Sequence, residues 1–134
     1  MPRDFQDDDF LYRRVRDDHL QDNEVQRAHC PTDQWEENLS FDWSALRDNP
    51  ADTAQQDPGH LLRISVKDCR EIGLGVCYDP EEGNPSHTVL VVPSENRHRT
   101  GIAKIREQFL GRAKLLRVEC GTIREIGPAK KPRQ

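Results

Sequence analysis

The sequence predicts a single α+β domain, in which one mixed or mainly antiparallel sheet of five to six strands carries two helices packed on a face. Six short segments have the apolar content or alternation of strands, and two others carry helix signals. The connections near residues 73–74 and 80–86 are too short for long crossovers, which favours antiparallel pairing. A chain of 134 residues is long enough to bury a core of its own.

The N-terminal half contains two of the predicted strands. Residues 11–16 form the first, and their charges favour an edge or a solvent-facing position in the sheet. Residues 39–43 alternate between apolar and polar side chains, as a half-buried strand does. Polar, turn-rich segments at 17–37 and 47–59 separate these strands from the rest, and the second segment has room for one short helical turn.

The middle of the chain combines a strand, a short helix and a second strand. Residues 60–66 predict a strand that leads directly into the helix. Ser65 is placed to cap that helix, Asp68 stands where an acidic residue is favoured, and Gly73 supplies a left-handed stop. Residues 74–78 then predict the next strand.

The C-terminal part carries the clearest periodicity. Residues 87–92 are the most apolar run in the chain and predict the central strand. Residues 100–110 have apolar side chains at helical spacing and predict an amphipathic helix. Residues 115–120 alternate and predict the last strand.

The two ends of the chain are poor in apolar residues. We expect residues 1–9 to form a disordered acidic tail and residues 127–134 a disordered basic tail, because neither buries enough apolar surface to offset its ordering entropy. The predicted domain therefore spans residues 10–126.

Charge is distributed unevenly along the chain. Residues 1–58 contain 15 acids and 6 bases, residues 59–96 contain 6 and 3, and residues 97–134 contain 3 and 11. The net charge of −4 thus conceals a strongly basic C-terminal quarter on an acidic body. This distribution favours an anionic partner for one end, or two ends that neutralise each other.

The sharpest local signal is a basic cluster at the start of the predicted long helix. Positive charge at a helix N-terminus is normally unfavourable by about 0.3–1 kcal/mol per residue, so a bound anion would explain it. In that interpretation Thr100, as cap, and the free amides from Gly101 onward meet a phosphate. Arg97 and Arg99 clamp it, and Lys104 joins one turn further on. The alternative is that these side chains reach back to carboxylates of the acidic half.

Signals for catalysis are weaker. His87 begins the predicted central strand after a turn, and it is the candidate for a catalytic acid or base. Ser40 and Asp42 project from one face of their strand, towards which Arg13 or Arg14 could point. This layout of a basic residue on an early strand and a serine on a second resembles that of ADP-ribosyltransferase-like folds, whose downstream glutamate cannot be assigned here.

Motifs for metals, cofactors and membranes are missing from the sequence. The four cysteines, Cys30, Cys69, Cys77 and Cys120, have no C-x-x-C spacing, so we expect them to be reduced, small buried hydrophobes and expect no metal site. Dinucleotide and P-loop motifs do not occur, so no cofactor is predicted. There is no apolar run of about 18 residues and no apolar leader, and we therefore expect a cytoplasmic protein without a membrane partner.

Three short stretches, residues 11–15, 39–42 and 74–87, together resemble a group of short bacterial proteins without an assigned activity. The resemblance covers about residues 11–92. It implies a bacterial origin and no particular chemistry.

These observations predict a small cytoplasmic binding protein, accessory or regulatory in role, whose charged surfaces contact a protein partner. Its complementary ends would also permit self-association. The alternative is a small enzyme or a nucleic-acid binder that recognises a phosphate-bearing ligand at the helix start near residues 97–104. Phe109 is the only aromatic residue after Tyr78, which disfavours base stacking and leaves contact with the nucleic-acid backbone.

Overall fold

The computed structural model describes residues 4–21, 24–25, 39–47, 49–96 and 99–130. Within these ranges it has nine strands and two α-helices. The strands are β1 (Phe10–Val15), β2 (Leu20–Gln21), β3 (Glu24–Val25), β4 (Leu39–Trp43), β5 (Gly59–Ser65), β6 (Gly75–Tyr78), β7 (His87–Val91), β8 (Lys114–Glu119) and β9 (Thr122–Pro128). The helices are α1 (Val66–Ile72) and α2 (Arg99–Arg112).

Seven of the described strands form one sheet in the order β6-β7-β4-β1-β5-β8-β9, and every neighbouring pair is antiparallel. Strands β2 and β3 pair separately as a small ribbon. The α+β class with one antiparallel sheet and two helices is confirmed. The predicted count of five to six strands was wrong, because β9 adds a seventh.

Strand β9 follows β8 through a tight turn that the sequence did not reveal. Cys120 and Gly121 form this turn with positive φ angles of 52° and 75°. The carboxylate of Asp57 accepts both of their backbone N–H groups at 2.7 Å, which holds the hairpin against the preceding loop. The strand runs past the predicted domain end at 126, and Ala129 beyond it is fully buried.

The fold also begins before its predicted first residue. The ring of Phe5 lies 4.3 Å from that of Trp43, centroid to centroid. Asp9 is buried, its carboxylate accepts the indole N–H of Trp43 at 3.1 Å, and its carbonyl accepts the N–H of Val66 at 2.9 Å. Residues 4–9 therefore pack on the domain, and the tail predicted for 1–9 is wrong for this part.

The central strand of the sheet is β1, not β7. Strand β1 lies between β4 and β5, whereas β7 is second from one edge. The prediction of a central strand at 87–92 rested on apolar content. However, alternate residues of β7 are only half-buried, so that content does not mark the middle of the sheet.

Both α-helices contribute to the larger core, on what we call the helical face of the sheet. The odd-numbered residues of β4 pack there with apolar side chains of α1 and α2. Phe41 and Phe109 meet edge to face at 6.4 Å between centroids. The predicted helix signals are confirmed, since Ser65 accepts the N–H of Asp68 at 3.0 Å and Gly73 ends α1 at φ 96°.

The opposite face carries a smaller core and a pocket. A 3₁₀ helix, Pro50–Ala54, covers part of this face, and its two buried alanines pack with Tyr12 and Leu61. Asn49 caps it by accepting the N–H of Ala51 at 3.1 Å. No helix in the described ranges is long and apolar enough to cross a membrane.

Candidate functional site

The pocket begins where β1 and β4 part. Their register comprises two residue pairs, of which Tyr12 with Asp42 is the last, although β1 continues to Val15. Beyond that point a side chain bridges the strands. Nη1 of Arg13 donates a 3.0 Å hydrogen bond to the backbone carbonyl of Ser40. The two strands are thus joined by a guanidinium where backbone pairs would otherwise stand.

The pocket has a volume of about 350 Å³, within the range of small-molecule sites. Among the described residues, four arginines and one carboxylate line it. These charged residues are Arg13, Arg14, Arg16, Arg47 and Asp42. Further polar side chains come from four separate segments, namely Ser40, Thr53, Gln55, Asn84 and His87. The lining is therefore cationic and rich in hydrogen-bonding groups.

Asp42 holds three segments together at one end of the pocket. Oδ2 accepts the hydroxyl of Thr53 at 2.7 Å, and Oδ1 accepts Nδ2 of Asn84 at 2.9 Å. These bonds join β4 to the 3₁₀ helix and to the loop between β6 and β7. The side chain of Asp42 remains 13% exposed.

Arg47 forms an ion pair with the same carboxylate, but no hydrogen bond joins the two side chains. Its Nε lies 3.6 Å from Oδ2 of Asp42, which is longer than a hydrogen bond. This Nε is buried and has no hydrogen-bond partner among the described residues. A buried donor without an acceptor costs about 1–3 kcal/mol, so Arg47 favours an additional acceptor in this region.

Two further arginines form the wall along β1. Burial lowers the pKa of Arg13 from its ordinary value, because the low dielectric disfavours the cation. Arg14 is exposed and its Nη1 donates to Oε1 of Gln55 at 3.2 Å. An anion in the pocket would offset the desolvation of Arg13 and add to the single neutral contact of Arg14.

His87 lines the pocket as the cross-strand partner of Asp42. Its Nδ1 lies 2.7 Å from the backbone carbonyl of Asp79. Its Nε2 lies 2.7 Å from Oε1 of Glu81. Both ring nitrogens therefore have a polar partner within the fold. The catalytic role of His87 stays a prediction.

Among the described residues, one group of side chains has metal-ligand atoms close enough together to share a cation, and it consists of His87 and its two neighbours Asp79 and Glu81. The ligand atoms of Asp79, Glu81 and His87 lie within 4.8 Å of one another. Both carboxylates are exposed, and carboxylates at a surface commonly cluster without a metal. The expectation of no metal site stays a prediction.

The predicted anion-binding residues belong to a different region. Helix α2 begins at Arg99, so Thr100 is in its first turn and is not the cap. Thr100 and Lys104 are exposed and Gly101 is half-buried. Arg97 and the side chain of Arg99 lie outside the part of the chain that the structure describes. The anion site at the helix start stays a prediction.

The structure does not bring His87 and the start of α2 together. Helix α2 packs on the helical face, whereas Asp42 and its partner His87 belong to the opposite face. None of Thr100, Gly101 and Lys104 lines the pocket. A ligand held at the start of α2 would therefore not reach His87.

Sequence reasoning found part of the pocket and missed the rest. It placed Ser40 and Asp42 on one face near Arg13 or Arg14, and these four do line one pocket. It missed Thr53 of the 3₁₀ helix and three residues outside the helices and strands, which are Arg47, Gln55 and Asn84. The signal that could have found the site is the pair of adjacent arginines inside an otherwise apolar strand.

The chain matches no protein family, no curated protein and no solved structure. The resemblance to a group of short bacterial proteins therefore stays a prediction.

Proposed function

We propose that this protein binds a small phosphate-bearing ligand in the pocket between β1 and β4. The observation that carries the proposal is the convergence of four arginines on a pocket to which the described residues contribute one carboxylate. A phosphate group offers several anionic oxygens, and guanidinium groups match them with paired donors. The proposal keeps the phosphate-bearing ligand of the sequence analysis and assigns it to a different site.

Two local features support an anion over a neutral ligand. The described residues of the lining have a formal excess of three positive charges before His87 is considered, and one of the four cations, Arg16, pairs with Asp18 at 3.2 Å. The buried Nε of Arg47 also has no acceptor among the described residues. A charge-assisted hydrogen bond from such a donor to a phosphate oxygen would contribute about 1.5–3 kcal/mol.

The test is calorimetric titration of the whole chain with pyrophosphate. We expect Arg14→Gln and Arg47→Gln each to weaken binding about tenfold to a hundredfold, as the loss of one charge-assisted bond predicts. Arg124→Gln is the matched control, because it makes the same change at an exposed position on β9. Lys104→Gln separates this pocket from the site predicted at the start of α2.

Two results would contradict the proposal. In the first, both pocket variants bind pyrophosphate as the wild type does. In the second, Lys104→Gln weakens binding as much as the pocket variants do, which would move the site to the start of α2.

A protein partner on the charged surfaces stays a prediction that the charge distribution favours, and so do nucleic-acid contact and a cytoplasmic location. One fact bears on the basic C-terminal quarter. Arg112 pairs with Asp68 and Glu71 of the middle segment at 3.1 Å, so part of its charge is neutralised within the fold. Charge reversal at Arg97 and Arg99 would test whether the rest of the basic C-terminal quarter contacts a partner. Unchanged partner binding with unchanged salt dependence would exclude a contact at these two residues.

A further inference from the structure

We infer that the ligand of this pocket is a phosphorylated sugar or a compound containing one, with its phosphate among the arginines that line the pocket and a hydroxyl donated to Asp42. This inference rests on the proposed function and adds a second group that the pocket recognises. It depends on how charge is arranged along the two parting strands.

The pocket has one end lined by arginines of β1 and another end where Arg47 lies beside the carboxylate of Asp42. Tyr12 and Asp42 face each other across the strands, and His87 is the next residue in the same row. Arg14 lies two residues beyond Tyr12 on β1, whereas Arg16 follows the end of that strand and pairs with Asp18 at 3.2 Å. At about 3.3 Å per residue, the backbone of Arg14 is about 7 Å from the row of Asp42. An elongated ligand can therefore meet arginines at one end and Asp42 at the other.

Asp42 would repel a second phosphate but can accept a hydroxyl. An ionised carboxylate has about four lone-pair sites, and the described hydrogen bonds from Thr53 and Asn84 use one on each oxygen. Arg47 lies too far for a hydrogen bond to it. The carboxylate lines the pocket and keeps part of its surface accessible, so acceptor capacity remains for a ligand donor.

The other polar groups suit the same class of ligand. Amide and hydroxyl side chains line the pocket beside Asp42, and each can exchange hydrogen bonds with a polyol. The aromatic residues of the lining, Tyr12 and Phe41, are almost fully buried and offer little surface for stacking. Recognition is therefore expected to centre on the sugar and its phosphate, and any attached base would contribute little.

The experiment compares methyl phosphate with ribose 5-phosphate, titrated into the whole chain. Both probes carry a phosphate monoester, and only the second presents sugar hydroxyls. We expect ribose 5-phosphate to bind about tenfold tighter or better, because a site built to bond a hydroxyl discriminates against a ligand that lacks it. This comparison uses the wild-type protein and needs no substitution.

Asp42→Asn then tests which residue provides the discrimination. The change keeps the shape of the side chain and removes the anionic acceptor. We expect the preference for ribose 5-phosphate to fall to about one, while methyl phosphate binds as tightly as before or more tightly. Asp52→Asn is the matched control, because Asp52 is exposed on the neighbouring 3₁₀ helix.

The outcomes separate this inference from the proposed function. If neither probe binds and pyrophosphate does not bind either, the proposed function fails. If methyl phosphate and ribose 5-phosphate bind equally well, only the sugar assignment is overturned. If Asp42→Asn weakens both probes equally, Asp42 acts through its contacts with Thr53 and Asn84 alone, and its assignment as the hydroxyl acceptor is wrong.

Discussion

Nη1 of Arg13 donates a 3.0 Å hydrogen bond to the backbone carbonyl of Ser40, at the point where the pairing of β1 with β4 ends. A side-chain donor thus replaces a backbone donor in the middle of a seven-stranded sheet. The parting of two central strands leaves carbonyls that need partners, and the guanidinium satisfies one of them. The same group contributes positive charge to the pocket, so the contact that holds the gap together also shapes its chemistry.

The contact between Arg13 and Ser40 predicts a stability effect. Arg13→Lys keeps the charge but loses the planar fork, and we expect the free energy of unfolding to fall by about 1–3 kcal/mol. Arg14→Lys is the control, because its guanidinium is exposed and its substitution should change stability by less than about 0.5 kcal/mol. Urea unfolding followed by tryptophan fluorescence measures both. Equal losses of unfolding free energy in the two variants would mean that the hydrogen bond from Arg13 to Ser40 stabilises the fold no more than the exposed contact of Arg14 does.

The turn between β8 and β9 predicts a second effect on stability. Asp57→Ala removes the acceptor for the N–H groups of Cys120 and Gly121, and we expect a loss of about 1.5–3 kcal/mol. Asp57→Asn keeps one carbonyl oxygen and should lose less. Denaturant unfolding gives the energies, and hydrogen exchange of the two turn amides should accelerate in Asp57→Ala. Unchanged exchange there would show that the turn holds without the carboxylate.

The positions of six sheet strands could be predicted because each is a short segment bounded by turn residues. Strand β9 could not, since it has two isoleucines among charged residues and ends in glycine and proline. Its pairing depends on β8 and on the carboxylate of Asp57, which is 64 residues before Gly121. A pattern within a short stretch of sequence cannot indicate a contact between residues so far apart in the chain.

Local sequence patterns also could not predict the position of β1 in the strand order. Arginines in a strand usually indicate an edge, and they led to an edge or solvent-facing position being predicted for a strand that is central in the sheet. Here Arg13 and Arg14 are accommodated because β4 turns away and opens a pocket. The candidate site could be predicted only as far as alternation placed Ser40 and Asp42 on one face.

Cysteine reactivity follows directly from burial. Cys69 is completely buried, and burial with the neighbouring carboxylate of Asp68 raises the pKa of its thiol to about 12. Cys77 and Cys120 are exposed, so the prediction that the cysteines are buried is wrong for these two, while Cys30 lies outside the described residues. We expect iodoacetamide at pH 8 to label Cys77 and Cys120 in the native protein and to leave Cys69 unmodified until urea is added. Peptide mass spectrometry would show this, and rapid native labelling of Cys69 would contradict its place in the core.

The raised pKa of Cys69 also predicts how stability depends on pH. The folded protein holds this proton more tightly than the unfolded chain, whose thiol titrates near its ordinary pKa of 9.0. The contribution of the neutral thiol is therefore fully present below pH 9.0 and is lost as the pH rises from there towards about 12. The loss should approach about 1.4 kcal/mol for each pH unit above the ordinary pKa.

Other groups titrate in the same range, so the quantity to measure is the difference in unfolding free energy between the wild type and Cys69→Ala. We expect this difference to be constant from pH 7 to 8.5 and to move against the wild type above pH 9, whereas a constant difference throughout would mean that Cys69 does not titrate on unfolding.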